Sequence, residues 1–184
     1  MSTYAHTRLF RDDNGTLIPG ETLPAYLHEG NDYVLVDITV YRDGLIDWQG
    51  LVDFDSFVAR VRDGRITTTV PERAIVRLPL GGVALVTEAI AVDVQDFIVE
   101  VRDRIEELNG RPTTLDQWLA AVARWRIEKT PENRDAALEA LDRIPRWGMN
   151  EHAADSFADL SDEESQDLFG PPARTFGPPA RTDG

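Results

Sequence analysis

Three carboxylates, Asp47, Asp53 and Asp55, lie close together in the segment VYRDGLIDWQGLVDFDSF. Closely spaced carboxylates are used in proteins for general acid–base catalysis and for binding Mg²⁺. The neighbouring residues predict a separate structural role for each. Asp47 points away from the apolar face of a predicted strand, Asp53 is the predicted N-cap of a helix, and Asp55 lies in its first turn. We therefore expect no catalytic or metal-binding cluster in this segment.

The segment FRDDNGTLIPGE approximates a calcium-binding loop. With Gly15 at the sixth loop position, Asp12, Asn14 and Glu21 fall at ligand positions. Phe10 then occupies the first position, where calcium loops require a carboxylate. Asn-Gly is also the pair most typical of a two-residue β-hairpin turn. The sequence thus predicts a hairpin here and no calcium site.

The remaining candidates for chemistry are few. The histidines, His6, His28 and His152, lack metal-ligand spacing, and His28 is predicted to be an exposed loop residue although it precedes Glu29. The pair Gly81-Gly82 is a predicted turn, and the chain contains neither G-x-S-x-G nor a phosphate-binding loop. We accordingly assign no catalytic residue, no cofactor-binding residue and no metal ligand.

Composition narrows the class of protein further. The chain has 184 residues, no cysteine and a net charge of −14. The negative charge disfavours direct binding of nucleic acid, and the absence of cysteine excludes disulfides and thiolate chemistry. No stretch approaches the roughly 20 apolar residues that span a membrane, and no basic segment followed by an apolar run begins the chain. The expectation is a cytoplasmic protein without membrane contact.

Strand patterns fill the first half of the chain. YVLVDITVY alternates, with Val34, Val36, Ile38 and Val40 on one face, and Asp43-Gly44 marks a hairpin leading into a second strand, LIDWQGLV. Three further short strands are predicted in RITTTV, AIVRLP and GVALVTE, separated by turn residues.

Helical patterns interrupt and follow these strands. A short helix starts after Asp53, and three longer ones follow Asp93, Thr114 (as a capping box with Gln117) and Thr130. Separate runs of strands and helices predict an α+β fold: an antiparallel sheet of about five or more strands, with a short inserted helix, covered by three C-terminal helices.

Two tryptophans, Trp118 and Trp125, share one face of the second long helix and predict either core packing against the sheet or a docking surface. Trp147 follows the last helix and is predicted to pack back on the domain.

A change in composition predicts the domain boundary. Residues 1–148 form a single predicted α+β domain, whereas residues 149–184 carry 8 acidic and only 2 basic residues and end in FGPPART twice in tandem. We expect this acidic, then Pro/Gly-rich tail to be disordered. Within it, Phe157, Leu160, Glu164 and Leu168 have helical spacing, which leaves open a docking segment or a functionless extension.

Several blocks occur together in one order: IPGE at 18–21, VYRDGLI at 40–46, WQGLVDF at 48–54, TTTVPE at 67–72, LNGRPT at 108–113 and TPENR at 130–134. This set resembles a bacterial family known only as a domain of unknown function, over roughly residues 8–147. The resemblance implies a natural, widespread fold and transfers no activity, cofactor or site residue.

Three functions are consistent with these observations. The first is a non-catalytic protein–protein interaction module, similar to an inhibitor or an antitoxin, with a protein partner that the sequence does not identify. The second is a small enzyme that uses carboxylates such as Asp37 and Asp47 on a sheet face. The third is an acidic mimic of nucleic acid that binds a nucleic-acid-binding protein.

Overall fold

In the described chain, strands interrupted by one short helix come first, and helices alone follow them. The structure is a computed structural model that describes residues 8–30, 32–145 and 160–170. The strands are β1 (Arg8–Asp13), β2 (Thr16–Glu29), β3 (Asp32–Tyr41), β4 (Ile46–Asp47), β5 (Leu51–Val52), β6 (Ile66–Thr67), β7 (Thr69–Val70), β8 (Ile75–Arg77), β9 (Val83–Leu85) and β10 (Ile90–Ala91). The helices are α1 (Phe54–Arg62), α2 (Val94–Leu108), α3 (Thr114–Ile127), α4 (Pro131–Leu141) and α5 (Asp162–Phe169). The predicted α+β class is confirmed.

Strands β2 and β3 form the centre of an eight-stranded sheet, and β7 pairs with β10 in a separate ladder. Most pairs are antiparallel, including the predicted hairpins at Asn14-Gly15 and Asp43-Gly44. The exception is β8, which runs parallel to β3 with Tyr33 opposite Val76. This pair is parallel because the chain returns to the start of β3 after crossing over through α1.

The long strand β2 contains Pro19 and Pro24, and the pairing of β2 with β1 and β6 explains the position of Pro24. His28 donates its N–H to Arg65 O (3.1 Å), so the even-numbered residues of β2 direct their N–H groups toward the edge shared by β1 and β6. β1 pairs with β2 only as far as Glu21, and β6 begins its pairing at Tyr26. Pro24 lies in the gap between them, where no ladder bond needs the N–H that proline lacks.

The segment LIDWQGLV is not one strand, as its pattern predicts, but the tight hairpin β4–β5. Ile46 lies opposite Val52, and the chain reverses through Trp48–Gly50. Gly50 has a φ of 127°, and its N–H donates to an Asp47 carboxylate oxygen (3.0 Å). Only glycine adopts that φ without strain, so the Gly50 position ends the alternating strand pattern.

The molecule has separate hydrophobic cores for the sheet and for the C-terminal helices. Buried side chains of β2 and β3 pack against Phe57 of α1 and against Phe97 and Val101 of α2. α3, α4 and α5 share a second core that contains Trp118 and Trp125 and no strand residue. The core role of these tryptophans is confirmed, but of the three helices expected to cover the sheet, α2 does so, while α3 and α4 pack on each other and on α5.

Helix α5 lies within the range 149–184, for which the sequence predicts a disordered tail. In the structure, Leu160 and Leu168 are buried against α3 and α4, and the expected disorder of the tail as a whole stays a prediction. The predicted boundary near 148, the second FGPPART repeat, Phe157 and Trp147 lie outside the described residues.

Candidate functional site

The three carboxylates of the VYRDGLIDWQGLVDFDSF segment do not form a common site. Asp53 is the N-cap of α1, as predicted, and accepts a hydrogen bond from Ser56 N–H (2.7 Å). Asp55 lies in the first turn of that helix. Asp47 is the last residue of β4, where the β4–β5 turn begins. The roles predicted for Asp53 and Asp55 are confirmed, whereas Asp47, predicted to point outward from one continuous strand, accepts the Gly50 N–H across the β4–β5 turn.

The predicted cap gives a pH-dependent test of this interpretation. The hydrogen bond from the Ser56 N–H lowers the pKa of Asp53, so its stabilising effect is present at neutral pH and is lost as the pH falls through that lowered value. Asp53→Ala should lower the thermal midpoint by a few degrees, and Asp53→Asn should retain most of the stability. Thermal unfolding at neutral and acidic pH is the measurement, and a rise in midpoint for Asp53→Ala at neutral pH would contradict the assignment.

Asp37 and Asp47, the carboxylates considered for a small enzyme, share a sheet face. Thr39 of β3 lies opposite Asp47, and Asp37 is two residues before Thr39 on the same strand. Asp37 is exposed, and neither of the two grooves described below includes either residue.

The calcium-loop segment is a hairpin turn, as expected. Asn14 and Gly15 both have positive φ, at 53° and 88°, and Asp12 accepts the Gly15 N–H at 2.7 Å. His28 is exposed but belongs to β2 rather than to a loop, and its ring stacks on Tyr33 at 4.9 Å. Residues His6 and His152 lie outside the described parts of the chain.

Sequence reasoning missed a partly buried charge cluster between β2 and α2. Arg104 binds Glu100 (3.1 Å) one turn earlier on α2 and lies 3.8 Å from Glu21 of β2. Burial raises the pKa of Glu100 despite the opposing effect of Arg104. The buried Oε2 of Glu21 accepts no hydrogen bond from any described residue. The contact between Arg104 and Glu21 links α2 to the sheet. It could not be predicted from the sequence, since Glu21 and Arg104 are far apart in the chain.

A second polar contact joins α2 to α3. Asp103 accepts hydrogen bonds from both the N–H (3.1 Å) and the hydroxyl of Thr114, and burial raises its pKa. The N-cap of α3 is Thr113, with Asp116 completing the capping box, so the predicted cap at Thr114 is one residue too late. Thr114 is instead the first helical residue and contacts the preceding helix.

The hairpin β8–β9 exposes an apolar patch, which we call the β9 edge, and Arg77 lies on the same face, opposite Val83. Ile75 and Leu85 are directly opposite, and Val83 lies two residues from Leu85 on the same face. Their exposed fractions are 53%, 63% and 71%, and Leu80 at the tip of the hairpin is completely exposed. The opposite face of this hairpin buries Val76 and Val86 in a third small core. The hairpin is therefore packed on one side through Val76 and Val86, and on the other side it exposes Ile75, Val83 and Leu85 beside Arg77.

Backbone N–H and C=O groups of β9 also face away from the hairpin. Val86 donates its N–H to Ala74 O at 2.9 Å, so the even-numbered residues here bond toward β8. Because an antiparallel ladder alternates, the N–H and C=O groups of Val83 and Leu85 face away from β8. Within the described residues, no strand pairs with β9 on that side.

Two shallow grooves are the remaining candidates for a ligand site. One, of about 500 Å³, lies between α3 and α4 and is lined by alanines such as Ala120 together with the charged residues Asp116, Arg124, Glu139 and Arg143. The other, of about 400 Å³, lies beside Phe54 and contains Glu106 and Arg111, which pair with each other. In the described parts of the chain no three His, Asp or Glu side chains are grouped so as to hold a metal ion. The expectation of no metal site stays a prediction.

No helix among the described residues is both long and apolar enough to cross a membrane.

Fold and site together define an α+β protein whose most distinctive surface is an apolar strand edge. The family model described as Domain of unknown function (DUF7638) matches residues 8–112, more than half of the chain. The chain belongs to this family, and the predicted resemblance is confirmed, although the match ends at 112 rather than near 147. No curated protein and no solved structure matches the chain.

The end of the family match coincides with a structural boundary. Residues 8–112 contain the whole sheet, α1 and α2, and therefore the sheet core. Helices α3, α4 and α5, with their own core, lie outside it. Helices α3–α5, which we call the helical unit, thus have a core distinct from that of the family match, and the predicted single domain over residues 1–148 stays a prediction.

Proposed function

We propose that this protein is a non-catalytic protein-binding module of the cytoplasm that receives a strand of its partner at the β9 edge. The observation that carries the proposal is an apolar edge strand whose outward N–H and C=O groups have no partner strand in the described chain. A short extended peptide that pairs with such an edge gains main-chain hydrogen bonds and buries the alternate apolar side chains.

The contrast with the other hairpin supports this choice. Strand β1 is also an edge strand, but Arg8, Arg11, Asp12 and Asp13 make four of its six residues charged. Charged side chains on an edge are the usual protection against unwanted strand pairing. β9 consists of Val, Ala and Leu and lacks this protection. An unprotected apolar edge in a strongly acidic protein is consistent with selection for contact.

Two substitutions test the two parts of this contact. Val83→Pro removes an N–H that faces away from β8, so it should stop strand addition while leaving the β8–β9 ladder formed. Leu85→Glu places a charge on the contact face. The matched control is Leu17→Glu, since Leu17 and Leu85 are 62% and 63% exposed.

Affinity capture from native lysate, followed by titration of the captured protein against each purified variant, is the measurement. We expect binding at least ten-fold weaker for Val83→Pro and Leu85→Glu and unchanged for Leu17→Glu. Equal affinity of all four proteins for the captured partner would refute the β9 edge as the binding surface. A basic partner that is released by moderate salt and insensitive to Leu85→Glu would support the acidic-mimic function instead.

A further inference from the structure

A second contact surface lies on the helical unit outside the family domain. We propose that α3 and α4 form a recognition surface for a short acidic helix of a partner protein, and that α5 is an internal copy of that ligand. The surface, called the acceptor surface below, consists of Arg126, Lys129 and Arg134 around the apolar bed formed by Trp118 and Trp125.

Charge complementarity defines the first requirement for the ligand. Arg126 binds Glu164 of α5 through both carboxylate oxygens, at 2.8 and 3.1 Å, and this contact lowers the pKa of Glu164. Lys129 binds Asp167 at 3.1 Å. An acidic residue and a second one three positions later therefore match two cations of the acceptor surface.

Apolar anchors define the second requirement. Leu168 is fully buried and Leu160 nearly so, and both join the core shared with α3 and α4. The Arg134 side chain donates to the Leu168 carbonyl (3.0 Å), where the negative end of the α5 dipole lies. A ligand for this surface thus carries two leucines eight positions apart, with the acidic pair between them.

Helix α5 has the properties of a replaceable ligand. It is eight residues long, below the length at which an isolated helix is stable in water, so its folding depends on its contact with α3 and α4. Its ion pairs are partly exposed, and pairs of this kind contribute little and weaken with salt. In the sequence, the 20 residues 142–161 separate the end of α4 from the start of α5. A helix of the same chemistry in a partner would meet an identical set of contacts.

The experiment uses a fluorescent peptide with the sequence of residues 160–170 and the full-length chain. In the Leu168→Asp chain the internal helix should no longer compete, so this chain should bind the peptide at least ten-fold more tightly than the wild type. Adding Arg126→Glu to that chain should weaken binding at least ten-fold, and a peptide with Glu164→Arg should restore part of the loss. A second receptor, Glu164→Arg combined with Asp167→Lys, repels its own α5 from Arg126 and Lys129 and keeps Leu168 unchanged.

A measurement on the wild type makes the test independent of whether these variants fold. An excess of the unlabelled peptide should increase deuterium uptake in residues 160–170 of the chain, because α5 is displaced. Absence of saturable binding to both folded receptor variants, or unchanged uptake in the wild type at saturating peptide, would overturn the proposal. Binding that is insensitive to Arg126→Glu would also overturn it, since the peptide would then lie elsewhere. None of these results depends on the β9 edge.

Discussion

Replacing Trp118 by alanine should destabilise the helical unit α3–α5 by about 3–5 kcal/mol, the usual loss for a large aromatic side chain removed from a core. Only 1% of Trp118 is exposed, and its neighbours in the core all belong to the helical unit. Because the sheet has a core of its own, residues 8–112 should keep most of their stability. Hydrogen exchange resolved by segment, together with urea unfolding, measures the two parts separately.

The matched variant is Phe57→Ala, which removes a fully buried ring that contacts Phe97 in the sheet core. It should give the reverse pattern, with the sheet destabilised and α3–α5 protected. If both variants lowered protection from hydrogen exchange equally along the whole chain, the two cores would unfold as one cooperative unit. The boundary at residue 112 would then not separate two independently stable parts.

Replacing Arg104 by methionine should destabilise the protein by about 1–3 kcal/mol at neutral pH, because two largely buried carboxylates lose their cation. Glu100 and Glu21 would remain between β2 and α2 without their cation. Burial already raises the pKa of Glu100 above its ordinary 4.5, and loss of Arg104 raises it further. An acid with a raised pKa in the folded state contributes stability below its ordinary pKa and loses it as the pH rises through the folded value.

The deficit of Arg104→Met relative to the wild type should therefore shrink as the pH is lowered toward 4.5. Urea unfolding across that range measures it. The control adds Glu100→Gln to Arg104→Met, which should recover part of the stability and flatten the pH dependence. A deficit that is the same at every pH would show that Arg104 acts through packing of its stem and not through its charge.

Local signals in the sequence predicted much of the fold. The caps at Asp53, Asp93 and Thr130 are all confirmed, as is the turn at Asn14-Gly15. These features depend on a residue and its nearest neighbours, since a cap bonds N–H groups two or three residues away. The misplaced cap at Thr114 illustrates the limit, because two adjacent threonines fit the pattern and only the contact with Asp103 separates their roles.

The contacts between residues far apart in the chain could not be predicted from the sequence. Pro24 argues against a central strand until one knows that β1 ends and β6 begins on either side of it. The parallel β3–β8 pair, likewise, depends on where the chain returns after α1. Glu21 and Arg104 carry no common motif, although their contact is the main charged feature of the sheet core. For the candidate site, the alternation of Val83 and Leu85 was visible, but their position at an unpaired edge was not.

The order of elements along the chain determines when the sheet core can close during synthesis. The meander β1–β3 is complete at Tyr41, and its pairs are local in sequence. Helix α2, which covers the apolar face of that meander, ends more than sixty residues later, at Leu108. At bacterial-to-eukaryotic elongation rates of about 5–20 residues per second, the ribosome needs roughly 3–13 s to supply it. During that interval, of the described helices only α1 can cover Leu23, Ile38 and Val40, so the exposure of the apolar sheet face in the nascent chain depends on the order of the elements along the chain.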